Sequence, residues 1–165
     1  MKKNLVAALF LSLLLTVSVS LADDGLGVLP SAAPALSAAP EAAAVEALLK
    51  EVPGAVVHYA LLDTDNRRAE WDIFFTDGTL LGECEVDAET FEIRKLKSYE
   101  APADALTADK AIEALKAAKG DVEITEFDLD RDDGSLWYEG DCLLDGRRYE
   151  FEMNVSGRIV EWERD

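Results

Sequence analysis

From Glu41 onward the apolar and polar positions fall into one pattern that is used twice. Val45, Leu48, Leu49 and Val52 recur at i, i+3, i+4 and i+7, the spacing of one helix face, and Pro53-Gly54 ends the run. Alternation with a period of two then takes over. It predicts strands over Val56–Leu62, Ala69–Phe75, Leu80–Val86 and Glu92–Tyr99, with Trp71, Ile73 and Phe75 sharing a face. Asp77-Gly78 and the stretch around Asp87-Ala88-Glu89-Thr90 supply turns.

After a short Ala101-Pro102-Ala103-Asp104 linker the order repeats. Thr107 is placed to cap a helix, with Asp109 in the first turn where the helix dipole favours an anion. Ala111, Ile112, Leu115 and Ala118 form its predicted buried stripe, and Gly120 its end. Strands are predicted over Asp121–Leu129, Ser135–Leu144, Arg147–Asn154 and Arg158–Glu163, with turns at Asp132-Asp133-Gly134, Asp145-Gly146 and Ser156-Gly157. A shift of 67 positions lays Ala111-Ile-Glu-Ala-Leu115 on Ala44-Val-Glu-Ala-Leu48, and Met153-Asn154 on Val86-Asp87.

The fold class expected is therefore α+β, as two tandem units over 41–100 and 104–165, each a helix followed by about four antiparallel strands. Each helix is expected to cover one face of its sheet, leaving the other to water. A unit of about 60 residues is marginal alone and gains from a neighbour or a covalent tie.

The N-terminus changes the picture of where the chain works. Lys2 and Lys3 precede an apolar run from Leu5 to Val19, and Ser20-Leu21-Ala22 places small residues at −3 and −1. Residues 1–22 read as a signal peptide and 23–40, rich in Ala and Pro, as a linker. The expectation is a secreted or periplasmic protein with no stable membrane insertion after cleavage. Export favours an oxidising compartment, so Cys84 and Cys142, the only cysteines, have two readings: one disulfide between the units, or two buried apolar side chains. Formal net charge is −18, and −20 once Lys2 and Lys3 are lost (14 Lys+Arg against 34 Asp+Glu). That field repels phosphate backbones, which excludes nucleic acid as a partner and favours cations or basic protein surfaces.

Three stretches resemble the PepSY family, the small module of thermolysin-like protease propeptides and of many exported bacterial proteins. They are Leu106-Thr-Ala-Asp-Lys-Ala-Ile-Glu-Ala-Leu115, the aromatic hairpin Leu136-Trp137-Tyr138, and the ending Tyr149-Glu-Phe-Glu-Met-Asn-Val-Ser-Gly157-Arg-Ile-Val160. The first copy is looser, with Phe91 near the glycine position. The tandem is also similar to exported β-lactamase-inhibitor-like proteins of two helix-plus-sheet repeats. Both resemblances imply binding, with inhibition of an exported protease or hydrolase as the proposed role, and no catalysis. The chain contains no His-Glu-x-x-His, so the module is expected to act on a separate protein.

Candidate chemistry is sparse. No Gly-x-Ser-x-Gly, Cys–His pairing or P-loop exists, and no cofactor is expected. His58, the single histidine, lies among apolar strand residues and reads as structural or surface. Asp128, Asp130, Asp132 and Glu139 have the alternate-oxygen spacing of a Ca²⁺ loop, although glycine stands one position late and the flanks are strands; an acidic hairpin is the better reading. If Tyr138 is buried, alternation turns Trp137, Glu139 and Asp141 outward, which makes them the candidate binding residues. The function expected is an exported, non-enzymatic binding module regulating a secreted or periplasmic protease or hydrolase. The alternative is a Ca²⁺-binding or structural cell-envelope protein.

Overall fold

The computed structural model describes residues 39–64 and 68–165, so the expected signal peptide and all but the last two residues of the linker lie outside the described residues. Both repeats belong to one compact unit, Leu36–Asp165. Helix α1 (Ala39–Glu51) is followed by strands β1 (Val56–Asp63), β2 (Glu70–Asp77), β3 (Leu80–Asp87) and β4 (Ile93–Glu100). Helix α2 (Ala108–Lys119) is followed by β5 (Glu123–Asp132), β6 (Ser135–Leu144), β7 (Arg147–Asn154) and β8 (Ile159–Arg164). Each set of four strands forms an antiparallel meander in sequence order, as the two-repeat reading requires.

Turn chemistry fixes the hairpins. Asp133 (φ 47°) with Gly134 (φ 83°), and Asp145 (φ 51°) with Gly146 (φ 71°), take the left-handed pairs that match the twist of two-residue hairpins. Asp87 accepts the N–H groups of Glu89 and Thr90 at 2.9 and 2.8 Å and so builds the β3–β4 turn. Phe91 there has φ 58°, and Gly157 at the matching position of the second repeat has φ 91°. The first copy thus holds an aromatic residue in a conformation its twin gives to glycine.

The described residues form two cores, and they are not one per repeat. In the first, Ala44 and Leu48 of α1 pack with Ile73, Phe75, Cys84 and Val86 on one face of sheet β1–β4. In the second, Ala108, Ala111, Ile112 and Leu115 of α2 pack on Phe127, Leu129, Tyr138, Phe151 and Met153 of sheet β5–β8. Phe74 and Leu81, from the opposite face of the first sheet, are buried in this second core, with Tyr59, Leu61 and Tyr99 packed against it. Sheet β1–β4 is therefore covered on both sides, by α1 and by the whole second repeat, and the expectation of one wet face fails there. The consecutive apolar run Ile73-Phe74-Phe75 is the local mark of a strand buried on both faces.

Other expectations need correction. Leu49 is 39% exposed because the α1 stripe runs through Ala44 and Leu48. Ala118 is exposed, and the α2 stripe starts instead at Ala108. Thr107 stands at the N-cap, but its hydroxyl donates to the Asp109 carboxylate at 2.5 Å and makes no cap bond to the helix backbone. Cys84 and Cys142 are both buried free thiols, the second of the two readings. Cys84 points toward α1 and Cys142 into the second core, so the sheet itself separates them. Burial pushes the Cys84 thiol up to about 12 and that of Cys142 to about 11.

Candidate functional site

The second repeat meets the first through β5, the edge strand of its sheet, which lies against β1 and β3. An edge strand presents unpaired N–H groups, and one buried side chain answers one of them. Glu83 on β3 is 1% exposed, and its carboxylate accepts the N–H of Leu129 at 2.6 Å. Lys97 on β4 reaches the same oxygen at 3.0 Å and lies 3.9 Å from Asp128. Burial pushes the Glu83 carboxyl up to about 7, with the Leu129 N–H and Lys97 pulling the other way. Asp72, two strand positions from Phe74, is pushed up to about 8 by burial and then by Glu83, Glu70, Asp128 and Asp63. His58 joins the repeats too, with Nε2 2.9 Å from Thr76 Oγ1 and Nδ1 3.7 Å from Asp109 of α2.

Register shows what the corresponding face of the second sheet does. In the first sheet, one cross-strand row on the face turned to the second repeat reads Tyr59–Phe74–Glu83–Lys97, and the next reads Leu61–Asp72–Glu85–Lys95. In the second sheet the matching rows read Glu126–Asp141–Glu150–Glu163 and Asp128–Glu139–Glu152–Glu161. Apolar and basic positions have become carboxylates, and the face packs against neither helix. Like charges directly opposite one another destabilise a sheet, and the cations that reach these rows, Arg148 at Asp141 and Glu126 and Lys97 at Asp128, offset only part of that repulsion. Its traces are visible in the titration. Glu139 is raised by desolvation and then by Asp130, Asp128 and Glu152; Asp128 is raised by desolvation, partly offset by Lys97 and Lys95. Arg148, 2.6 Å from Asp141, holds that carboxyl low, while desolvation and then Asp141 push Glu126 up.

Trp137 stands at one end of this face, half-buried, between Asp130 and Asn154 in register, while Tyr138 beside it is 1% exposed. The three residues singled out for binding, Trp137, Glu139 and Asp141, thus occupy alternate positions of β6 on the open side.

The residues read against a Ca²⁺ loop are placed differently. Asp128, Asp130 and Asp132 all lie within strand β5, where residues on one side are about 7 Å apart. The extended strand spreads these three carboxylates along its length, with Glu139 opposite Asp128 in register. Asp128 alone converges with other carboxylates, those of Glu83 and Glu85, within 4.8 Å. There Lys97 and Lys95, the latter 2.6 Å from Glu85, already provide the counter-charge.

Sequence reading missed Glu83, Lys97 and Asp72. Their parity matches that of Tyr59, Leu61, Phe74 and Leu81, apolar residues at positions an open face would fill with polar ones; that mismatch was the available signal.

The arrangement is a tandem of helix-plus-antiparallel-sheet units joined through a buried polar contact, with both thiols buried. The chain belongs to the PepSY family, that of the peptidase propeptide and YPEB domain, which matches it at residues 38–96 and again at 105–163. Among solved structures it is similar to the YpmB protein of Bacillus subtilis (22% identity, 78% of this chain and 99% of that one, TM-score 0.35). It is similar also to a BLIP-like protein of Bacteroides fragilis NCTC 9343 (13% identity, 84% and 89%, TM-score 0.30). A protein of Clostridium difficile 630 is 16% identical over 76% of this chain and 93% of its own, with a TM-score of 0.41. No curated protein matches the chain. The family assignment rests on the sequence match over both repeats.

Proposed function

We propose that the chain is an exported, non-enzymatic binding module that docks a basic surface of a secreted or periplasmic protease or hydrolase on the open face of sheet β5–β8. The observation that carries this reading is the pair of cross-strand rows in which all eight positions are carboxylates. Their repulsion is relieved when a cationic surface covers them, and such complementarity governs association rate and specificity. Trp137 at the end of the face supplies the apolar anchor, since Trp is enriched among residues that dominate binding. Membership of a family named for peptidase propeptides supports a peptidase or related hydrolase as the partner. No helix of the described residues is long and apolar enough to cross a membrane.

The test uses the purified protein as bait for the exported fraction of its host, with Trp137→Ala and Asp141→Lys variants alongside. The expected outcome is a retained hydrolase whose activity falls on adding the protein, with retention lost in both variants and weakened by salt. Retention that ignores both substitutions and salt would sink the proposal.

A further inference from the structure

The two repeats differ at the groove between helix and last strand, and the difference describes a ligand. In the second repeat this groove is filled from within. Trp162 on β8 stacks on Tyr149 at 4.8 Å between ring centroids, and Lys119 from the end of α2 places its ammonium 4.7 Å from the indole centroid. Register fixes the equivalents in the first repeat. Trp162 pairs with Phe151 and Leu96 pairs with Cys84, and Cys84 precedes Phe151 by the repeat shift of 67. The same shift lays Lys119 on Val52. The first repeat therefore has Leu96 where the second has the indole and Val52 where it has the ammonium.

What remains is an open groove of about 810 Å³ between α1 and β4, floored by Ala43, Ala47, Phe91, Ile93 and Leu96. Leu96 is 43% exposed in this groove. The rim carries Glu46, Glu51 and Glu92 against one cation, Lys50, which is tied to Glu46 at 3.1 Å. The small side chains of Ala43 and Ala47 line it from α1, and Phe91, with φ 58°, from the β3–β4 turn.

We propose that this groove receives an aromatic side chain carried on a basic segment of a partner protein, in the way Trp162 and Lys119 fill its twin. An aromatic ring supplies the apolar area that Leu96 leaves uncovered. A flanking Lys or Arg meets the acidic rim and can sit over the ring, a cation–π contact. The groove lies on the α1 side of the first sheet and the carboxylate rows on the second, so this site stands or falls independently of the docking face proposed above.

Titration of the isotopically labelled protein with the amidated tripeptides Lys-Trp-Lys and Lys-Ala-Lys, read by amide chemical shifts, tests it. Lys-Trp-Lys is expected to move the Ala43, Ala47 and Leu96 resonances saturably, and Lys-Ala-Lys to bind at least about tenfold more weakly. Leu96→Trp and Ala43→Leu each fill the groove and are expected to weaken Lys-Trp-Lys by about tenfold or more, whereas Trp137→Ala leaves it unchanged. Equal binding of the two peptides, or undiminished binding in both filled variants, would overturn the proposal. So would concentration-dependent dimerisation that Leu96→Trp abolishes, because the groove would then serve a second copy of this chain.

Discussion

The backbone N–H of Leu129 donates to the carboxylate of Glu83 across the boundary between the repeats, 2.6 Å away. One acidic side chain of the first sheet thereby closes part of the open edge of the second, and Lys97 shares the same oxygen. Removing it leaves a buried amide and a nearly buried ammonium without their acceptor. Glu83→Ala is expected to cost about 3 kcal/mol or more in urea unfolding at pH 8. Glu83→Gln, which keeps an acceptor for Leu129, is expected to cost about 1–2 kcal/mol. Equal, negligible losses would mean that the edge is satisfied some other way.

Asp72 and Glu83 give the stability a pH dependence of definite sign. Their ordinary values are 3.8 and 4.5, and folding raises them to about 8 and about 7. Between roughly pH 4 and 8 the folded state binds more protons than the unfolded one, so stability is greatest at the acidic end and declines as pH rises. The melting temperature is expected to be higher at pH 5 than at pH 8, and Asp72→Asn to flatten that slope. A melting temperature that climbs from pH 5 to pH 8 would contradict the buried-acid junction.

Trp137 separates binding from folding. It lies on the open side of β6, so Trp137→Ala is expected to cost stability only about 1 kcal/mol. A partner anchored on it should lose about 2 kcal/mol or more, roughly thirtyfold in affinity. Thermal melting alongside calorimetric titration of the captured hydrolase distinguishes the two; a large stability loss would assign Trp137 to the sheet alone.

The thiols give a simple readout. Cys84 and Cys142 are buried in different cores and both are raised by desolvation. A disulfide-exchange reagent is expected to find no reactive thiol in the native protein purified without reductant, and two after denaturation. None after denaturation would restore the bridge.

Much of this architecture could be read from local pattern. The turns at Asp133-Gly134 and Asp145-Gly146, the alternation of Tyr149, Phe151 and Met153, and the 67-residue shift each record a constraint between neighbours in the chain. What escaped was non-local. Val45, Leu48, Leu49 and Val52 have helical spacing, but which of them is buried depends on where the sheet sits, and Leu49 is left outside. Glu83 resembles any solvent-facing acid in its strand, and only the arrival of β5 from 46 positions away turns it into a buried acceptor. Export to an oxidising compartment favours a disulfide, but it carries no information on which core each cysteine enters.

One consequence follows from the matching rows of the two sheets. The face of Tyr59, Phe74 and Leu61 is where the first sheet accepts a following repeat, and the corresponding positions of the second sheet are Glu126, Asp141 and Asp128. Lys97, the cation that steadies the buried glutamate, becomes Glu163. A modular chain of this kind could otherwise grow, each unit seating the next, or polymerise end to end between molecules. With carboxylates in place of the apolar and basic residues, the second sheet lacks the seat that the first sheet offers to a following repeat.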